Sequence, residues 1–334
     1  MLNKKLKLNP KIFNPDVEKR GTRQGFGDAL IDLGLENPDV MVLTADLADS
    51  TKANLFADKY PDRFIEVGVA EQNMASVASG IASMGKIPFM TSYGIFSPGR
   101  NWEQIRTTIC YNNQAVKIIG SHGGVSVGAD GGSHQALEDI ALMRVLPNMT
   151  IICPADYFEA KKATLACAKT KEPTYIRLSR IDTPLITERD NPFEIGKAQI
   201  VFIPENDKAD VGIIATGPIL YEAILAAHEL EKEGVKVKVM NLATIKPLDK
   251  WAISSLAKET GGIVTVEDHQ ITGGMGSAVA EYLAQTNPTI IEFVGVLDRF
   301  GQSGTPKELY KEYKLTREDI IEKVKKVLER KESR

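Results

Sequence analysis

Short apolar runs recur along the chain, each separated from the next by enough residues to form a helix. The runs at 40–43, 64–67, 87–90, 116–119, 150–152 and 175–178 are rich in β-branched residues, as strands buried on both faces are. Between them, the stretch 156–169 opens on a capping Asp156, and Trp102, Ile105 and Ile109 fall at helical spacing. Such alternation predicts right-handed βαβ units and a parallel sheet. The pattern lapses at Asp182-Thr183-Pro184 and Arg189-Asp190-Asn191-Pro192, which reads as a linker over 186–196. It resumes with a strand at 211–215, a helix at 219–233 closed by Gly234, and strands at 235–240 and 263–266. A last helix is expected over 316–329. It opens with the capping-box spacing Thr316-Arg317-Glu318-Asp319 and sets Ile320, Ile321, Val324, Val327 and Leu328 on one face. The expected fold class is α/β with two doubly wound domains, at 21–185 and 197–334, after an N-terminal arm at 1–20.

Composition narrows the class without naming a chemistry. The 334 residues, 43% hydrophobic and 25% charged, suffice for two compact cores. A net charge of -3 from 41 basic and 44 acidic residues points to neither nucleic acid nor a membrane surface. Cys110, Cys153 and Cys167 are scattered, which argues against a disulfide framework or a zinc site and fits a reducing, cytoplasmic setting. Residues 1–11 carry Lys4, Lys5, Lys7 and Lys11 but no continuous apolar segment. They are expected to be a solvated arm, neither signal peptide nor anchor.

Ligands of an open parallel sheet bind beyond the carboxyl ends of its strands, so the residues that follow each run are the candidates. After 40–43 come Asp46, Asp49 and Ser50; after 64–67 comes Glu71. After 116–119 comes a glycine-rich loop with His122, Asp130 and His134, and after 175–178 comes Arg180. Glu71 falls in the first turn of a helix expected to end near Ser83, where an acidic side chain also simply complements the helix dipole. Two of the four histidines share one loop, whose glycines permit close backbone approach to a ligand. A solvated surface loop is the plainer alternative.

The order of these segments resembles the carboxyl-terminal two-thirds of transketolase, from about Arg20 to the end. The resemblance is carried by Thr44-Ala45-Asp46-Leu47, Gly68-Val69-Ala70-Glu71-Gln72-Asn73-Met74, Gly128-Ala129-Asp130-Gly131-Gly132-Ser133-His134-Gln135, Leu146-Pro147-Asn148, Pro154-Ala155-Asp156 and Leu178-Ser179-Arg180. It implies a pyrimidine-binding domain at 21–185, the family's C-terminal domain at 197–334, and transfer of a two-carbon ketol unit between sugar phosphates through thiamine diphosphate. Glu71 matches the glutamate that shares a proton with the pyrimidine ring nitrogen, favouring the imino tautomer that activates the thiazolium carbon. Such a carboxyl is best held in a dry site. Tyr93 and Phe96 match the aromatic platform under the pyrimidine, although Pro98-Gly99-Arg100 departs from the family pattern. Asp46 and His134 match cofactor-side contacts. His122 and Asp130 match residues that bind sugar hydroxyls, His122 also serving proton transfer. Arg23, Ser50 and Arg180 match the grip on the distal phosphate, for which two guanidinium forks suit better than lysines.

Thiamine enzymes hold the diphosphate through a metal bound by a Gly-Asp-Gly motif, and this sequence contains none. The resemblance therefore implies half a site. A partner N-terminal subunit would carry the diphosphate-binding domain and Mg2+ or Ca2+, in an α2β2 complex. Two other thiamine families remain open, the β chain of a 2-oxoacid dehydrogenase and deoxyxylulose-phosphate synthase. A nucleotide-binding module is a further alternative, because Gly273-Gly274-Met275-Gly276 superficially looks like a Rossmann turn. No chemistry is expected of His228 or His269.

Overall fold

The computed structural model describes residues 1–333, which fold into two α/β domains built on separate sheets. The first sheet has seven strands in the order Thr244–Lys246, Thr150–Ile152, Thr174–Arg177, Lys117–Ser121, Ile87–Tyr93, Val40–Thr44 and Phe64–Glu66. All are parallel except Thr244–Lys246, which comes from the second half of the chain and pairs antiparallel with Thr150–Ile152. The second sheet runs Ile290–Val296, Gly262–Gln270, Val211–Ala215, Val237–Asn241 and Gln199–Phe202, with only the last antiparallel. Because the second domain lends a strand to the first sheet, the two are joined by backbone hydrogen bonds as well as by packing. Among the described residues no helix is long and apolar enough to cross a membrane.

The strands expected from the apolar runs are present, with ends shifted by up to four residues, while Gln199–Phe202 and Ile290–Val296 lie outside those runs. One extension matters: the strand at 87–90 continues to Tyr93, which delivers that ring to the carboxyl edge. The capping expectations at two helices are met by side chains. Asp156 accepts from Glu159 N–H at 2.9 Å and opens the helix Tyr157–Cys167. Thr316 and Asp319 form a reciprocal capping box ahead of Arg317–Glu332. At 102–111 the structure departs from a regular helix: one turn, Trp102–Gln104, gives way to a π-helix over Ile105–Tyr111. Three- and four-residue apolar spacing marks which side is buried without revealing a wider turn.

The N-terminal arm is not the fully solvated segment expected, and the linker is tied down at several points although Glu188, Arg189 and Asp190 are exposed. Leu8 and Ile12 are buried with Val201, Phe202 and Ile224 in the core of the second domain, and Leu2, Leu6 and Phe13 pack against it. The lysines dominate the composition of this segment while the apolar residues between them decide its packing. The linker is anchored through Asp156, whose second oxygen accepts from Ile186 N–H at 2.8 Å. Asn191 is buried, and its side chain accepts from Lys7 N–H at 3.0 Å, tying linker to arm.

Ile12 is fully buried, so Ile12→Ala should cost about 2–5 kcal/mol, the range for a large core truncation. Denaturant unfolding measures this, and a loss below about 0.5 kcal/mol, the scale of a surface substitution, would return the arm to solvent.

Candidate active site

Five of the parallel strands, Val40–Thr44, Phe64–Glu66, Ile87–Tyr93, Lys117–Ser121 and Thr174–Arg177, deliver the site residues at their carboxyl ends. After Phe64–Glu66 the chain turns through Gly68 (φ 69°) and enters the helix Glu71–Ser83. Glu66 ties this turn to its neighbour, because one carboxylate oxygen accepts from Gly68 N–H and from Asp46 N–H, both at 2.8 Å. Glu71 is 1% exposed at the positive end of its helix. Its Oε2 pairs with Arg100 Nη1 at 2.9 Å, and Asn101 donates to its backbone oxygen at 3.1 Å. Arg100 is half exposed, so the pair runs from a dry interior to the protein surface. The sequence hid this partner in Pro98-Gly99-Arg100; the departure from pattern there was the available signal.

Beside the carboxylate, rings from two loops stack. Tyr93 and Phe96 lie nearly parallel with centroids 5.9 Å apart, and Arg100 sits over Phe96 at 5.1 Å. On the other face of the cluster His122 stacks on Tyr93 at 3.8 Å, while His134 meets Tyr93 and Phe96 edge-on at 6.2 and 5.6 Å. Tyr93 and Phe96 thus pack against imidazoles and a guanidinium, outside the aliphatic cores.

His122 has a left-handed backbone (φ 60°) and is 2% exposed, with Nδ1 2.8 Å from Ser121 Oγ. Burial, reinforced by the charges of Arg23 and Arg180, lowers its pKa to about 3. The imidazole is therefore neutral at physiological pH, and among the described residues Nε2 has no hydrogen-bond partner.

Arg23 and Arg180 face the same region. Arg23 Nη1 donates to the backbone oxygen of Ser50 at 2.6 Å, its Nε is buried without a partner, and burial lowers its pKa. Arg180 Nη1 donates to Val127 O at 2.7 Å, and its pair with Asp130 is long, at 3.6 Å. Both guanidinium groups keep donors for an anion, which an ordinary surface ion pair would consume. Asp46 is exposed with a left-handed backbone (φ 59°), and among the described residues its carboxylate makes no hydrogen bond with the ring cluster.

Below the glycine-rich loop lies a polar network that sequence reading missed. Arg177 pairs through Nε with Asp139 at 2.9 Å, and both are almost completely buried. A charged residue inside the strand Thr174–Arg177 was the only hint. The Rossmann-like turn has a different use. Glu267 accepts from Met275 and Gly276 N–H at 2.7 and 2.9 Å, so the chain's own carboxyl fills the helix N-terminus where a phosphate would sit. A Cβ at Gly274 would lie 2.2 Å from that carboxyl, which accounts for the glycine. His269 is buried there, accepting from Ile140 N–H at 3.2 Å, and His228 stacks on Phe13 at 4.2 Å.

Comparisons with known proteins point to one family. Residues 18–185 match the family model for the transketolase pyrimidine-binding domain, and 196–320 that for the transketolase C-terminal domain. A putative transketolase C-terminal section of Methanocaldococcus jannaschii is 43% identical over 91% of this chain and 95% of its own length. The 6-deoxy-6-sulfo-D-fructose transketolase subunit SqwH of a Clostridium species is 36% identical over 96% of this chain and 99% of its own. Human transketolase is 37% identical, but the match spans 49% of its length. A solved split-gene transketolase, described as an inactive beta4 tetramer, superposes with a TM-score of 0.85 at 42% identity, covering 92% of this chain and 98% of that one.

The lowered pKa of His122 carries a sign for stability. The unfolded imidazole takes a proton near 6.5 and the folded one only near 3, so its contribution is complete above about pH 6.5 and is lost as pH falls through that window. His122→Gln should therefore flatten the decline of the denaturation midpoint between about pH 7 and pH 4. Parallel profiles for the two proteins would contradict a neutral, buried His122.

Proposed function

Because the chain belongs to the transketolase family and spans its pyrimidine-binding and C-terminal domains, we propose that it forms one half of a two-chain thiamine diphosphate enzyme. That enzyme moves a two-carbon ketol unit between ketose and aldose phosphates. The observation that carries this reading is Glu71: a carboxylate withdrawn from water at a helix start, paired with Arg100, whose guanidinium lies over one of two stacked rings.

The residues present fit the cofactor's pyrimidine. Arg100 engages only Oε2 of Glu71 and leaves Oε1 for the ring nitrogen. Tyr93 and Phe96 offer an aromatic platform, with Asp46 and His134 on the cofactor side. When bound, thiamine diphosphate supplies the nucleophilic carbon that accepts the ketol unit. Glu71 holds the shared proton at Oε1. The neutral imidazole of His122 hydrogen-bonds a sugar hydroxyl through Nε2, with Asp130 accepting from a neighbouring hydroxyl. Arg23 and Arg180 bind the distal anion, with Ser50 beside them. Relatives are named for 6-deoxy-6-sulfo-D-fructose and for apulose-4-phosphate, and a pair of guanidinium forks suits either tetrahedral head group.

The sequence holds no Gly-Asp-Gly motif, so the diphosphate and its Mg2+ or Ca2+ fall to an N-terminal partner subunit, in an α2β2 assembly. Coverage supports this division: the chain accounts for nearly the whole of its split relatives and about half of human transketolase. Its three cysteines are free and buried, in keeping with a cytoplasmic setting.

The purified chain, supplied with thiamine diphosphate and magnesium, should transfer no ketol unit, and adding the N-terminal subunit should restore transfer from xylulose 5-phosphate to ribose 5-phosphate. In that complex Glu71→Gln should lower kcat by at least about a hundredfold, the scale of lost acid–base catalysis, with an unchanged melting temperature. Robust turnover by the single chain, or near-normal turnover by Glu71→Gln, would defeat the reading.

A further inference from the structure

The loop that carries His122, Asp130 and His134 rests on the second domain so closely that parts of it admit no side chain. A Cβ at Gly124 would lie 2.1 Å from Asp268 Oδ2, and one at Gly132 would lie 2.4 Å from the backbone oxygen of Gly301. Asp268 stands near the end of the strand Gly262–Gln270 and is 6% exposed. Its Oδ1 accepts from Val125 N–H at 2.9 Å, and the Tyr310 hydroxyl approaches Oδ2 at 3.4 Å. The far end of the loop is held in the same way, Gln135 Nε2 donating to Gln302 O at 3.0 Å.

We infer that Asp268 of the second domain is a positioning residue for substrate recognition, acting through the backbone of the glycine-rich loop. The inference rests on the proposed reaction and gives the second domain a part in it. The path is short. Asp268 fixes Val125; two residues on, Val127 O receives Arg180 Nη1 at 2.7 Å, and three residues back stands His122. A buried carboxylate accepting a backbone N–H is a strong, directional anchor, and no other carboxylate bonds residues 123–128 among the described residues. If this anchor is lost, the loop should loosen, and the aim of Arg180 and His122 should loosen with it. Glu71 and the ring platform, held by other elements, should stay in place.

Two substitutions test this on the full chain. In Asp268→Ala, amide hydrogen exchange over 125–135 should quicken at least about tenfold, the scale of losing a charge-assisted hydrogen bond. Protection of the strand Lys117–Ser121 and the helix Glu71–Ser83 should stay as in wild type. Asp268→Asn, which keeps an acceptor, should exchange at an intermediate rate, and it carries the test should the alanine variant not fold. In the complex with the N-terminal subunit, the same variants should raise KM for a phosphorylated donor by about the same factor while kcat stays within about twofold. Unchanged exchange over 125–135, or equal loosening of every element, overturns the inference, as does a fall in kcat at constant KM. Exchange is read on the chain by itself, so an inactive complex defeats the proposed reaction and leaves the exchange result standing.

Discussion

The arrangement of the whole carboxyl edge depends on one buried ion pair, Arg177 with Asp139. A guanidinium this deep loses more by leaving water than an exposed pair returns, so it is tolerated only when its donors are met. Here Nε takes Asp139, and Nη2 donates to Ala136 O at 3.0 Å and to Asp268 O at 2.9 Å. Tyr175 adds its hydroxyl to the same Asp139 oxygen at 2.7 Å. Burial opposes the charge on Asp139, but Arg177 and His269 together overcome it and hold the carboxyl below its ordinary range. A strand, the end of the glycine-rich loop, a helix start and the second domain must all be in place for these bonds to form. The pair therefore specifies one arrangement more than it adds stability.

From that hub the site follows in steps. The loop is fixed at both ends, which sets His122 against Tyr93 and leaves its imidazole neutral. The neighbouring turns, joined through Glu66, bring Glu71 to a dry position beside the half-exposed Arg100. The two guanidinium groups, the imidazole and the buried carboxylate are thus assembled by contacts within this chain. Arg100 completes the carboxylate from the exposed side, so a buried negative charge is never left alone in the separate chain. Arg23 differs, because its buried Nε has no partner among the described residues.

Much of this was legible in the sequence because strands buried on both faces are written as unbroken β-branched runs, and the polar residues after them mark the functional edge. Glu71, His122, Tyr93, Arg23 and Arg180 were all nominated from their places after a strand or from the family motifs. The remainder depends on contacts distant in sequence. Thr244–Lys246 reads locally as part of the second domain, and only its pairing with Thr150–Ile152 moves it into the first sheet. Arg100 lies 29 residues from its partner and Asp268 143 from the amide it holds. The arm was misjudged for a different reason: lysines set its average character, whereas Leu8 and Ile12 set its free energy.

The central claim is that this polypeptide presents a ready acid in a pocket that another chain must complete. Calorimetric titration of thiamine diphosphate with magnesium into the separate chain, and into its mixture with the N-terminal subunit, tests it most directly. The account predicts saturable binding only in the mixture, weakened when Glu71 is replaced by alanine. Tight, stoichiometric binding to the chain by itself would contradict it.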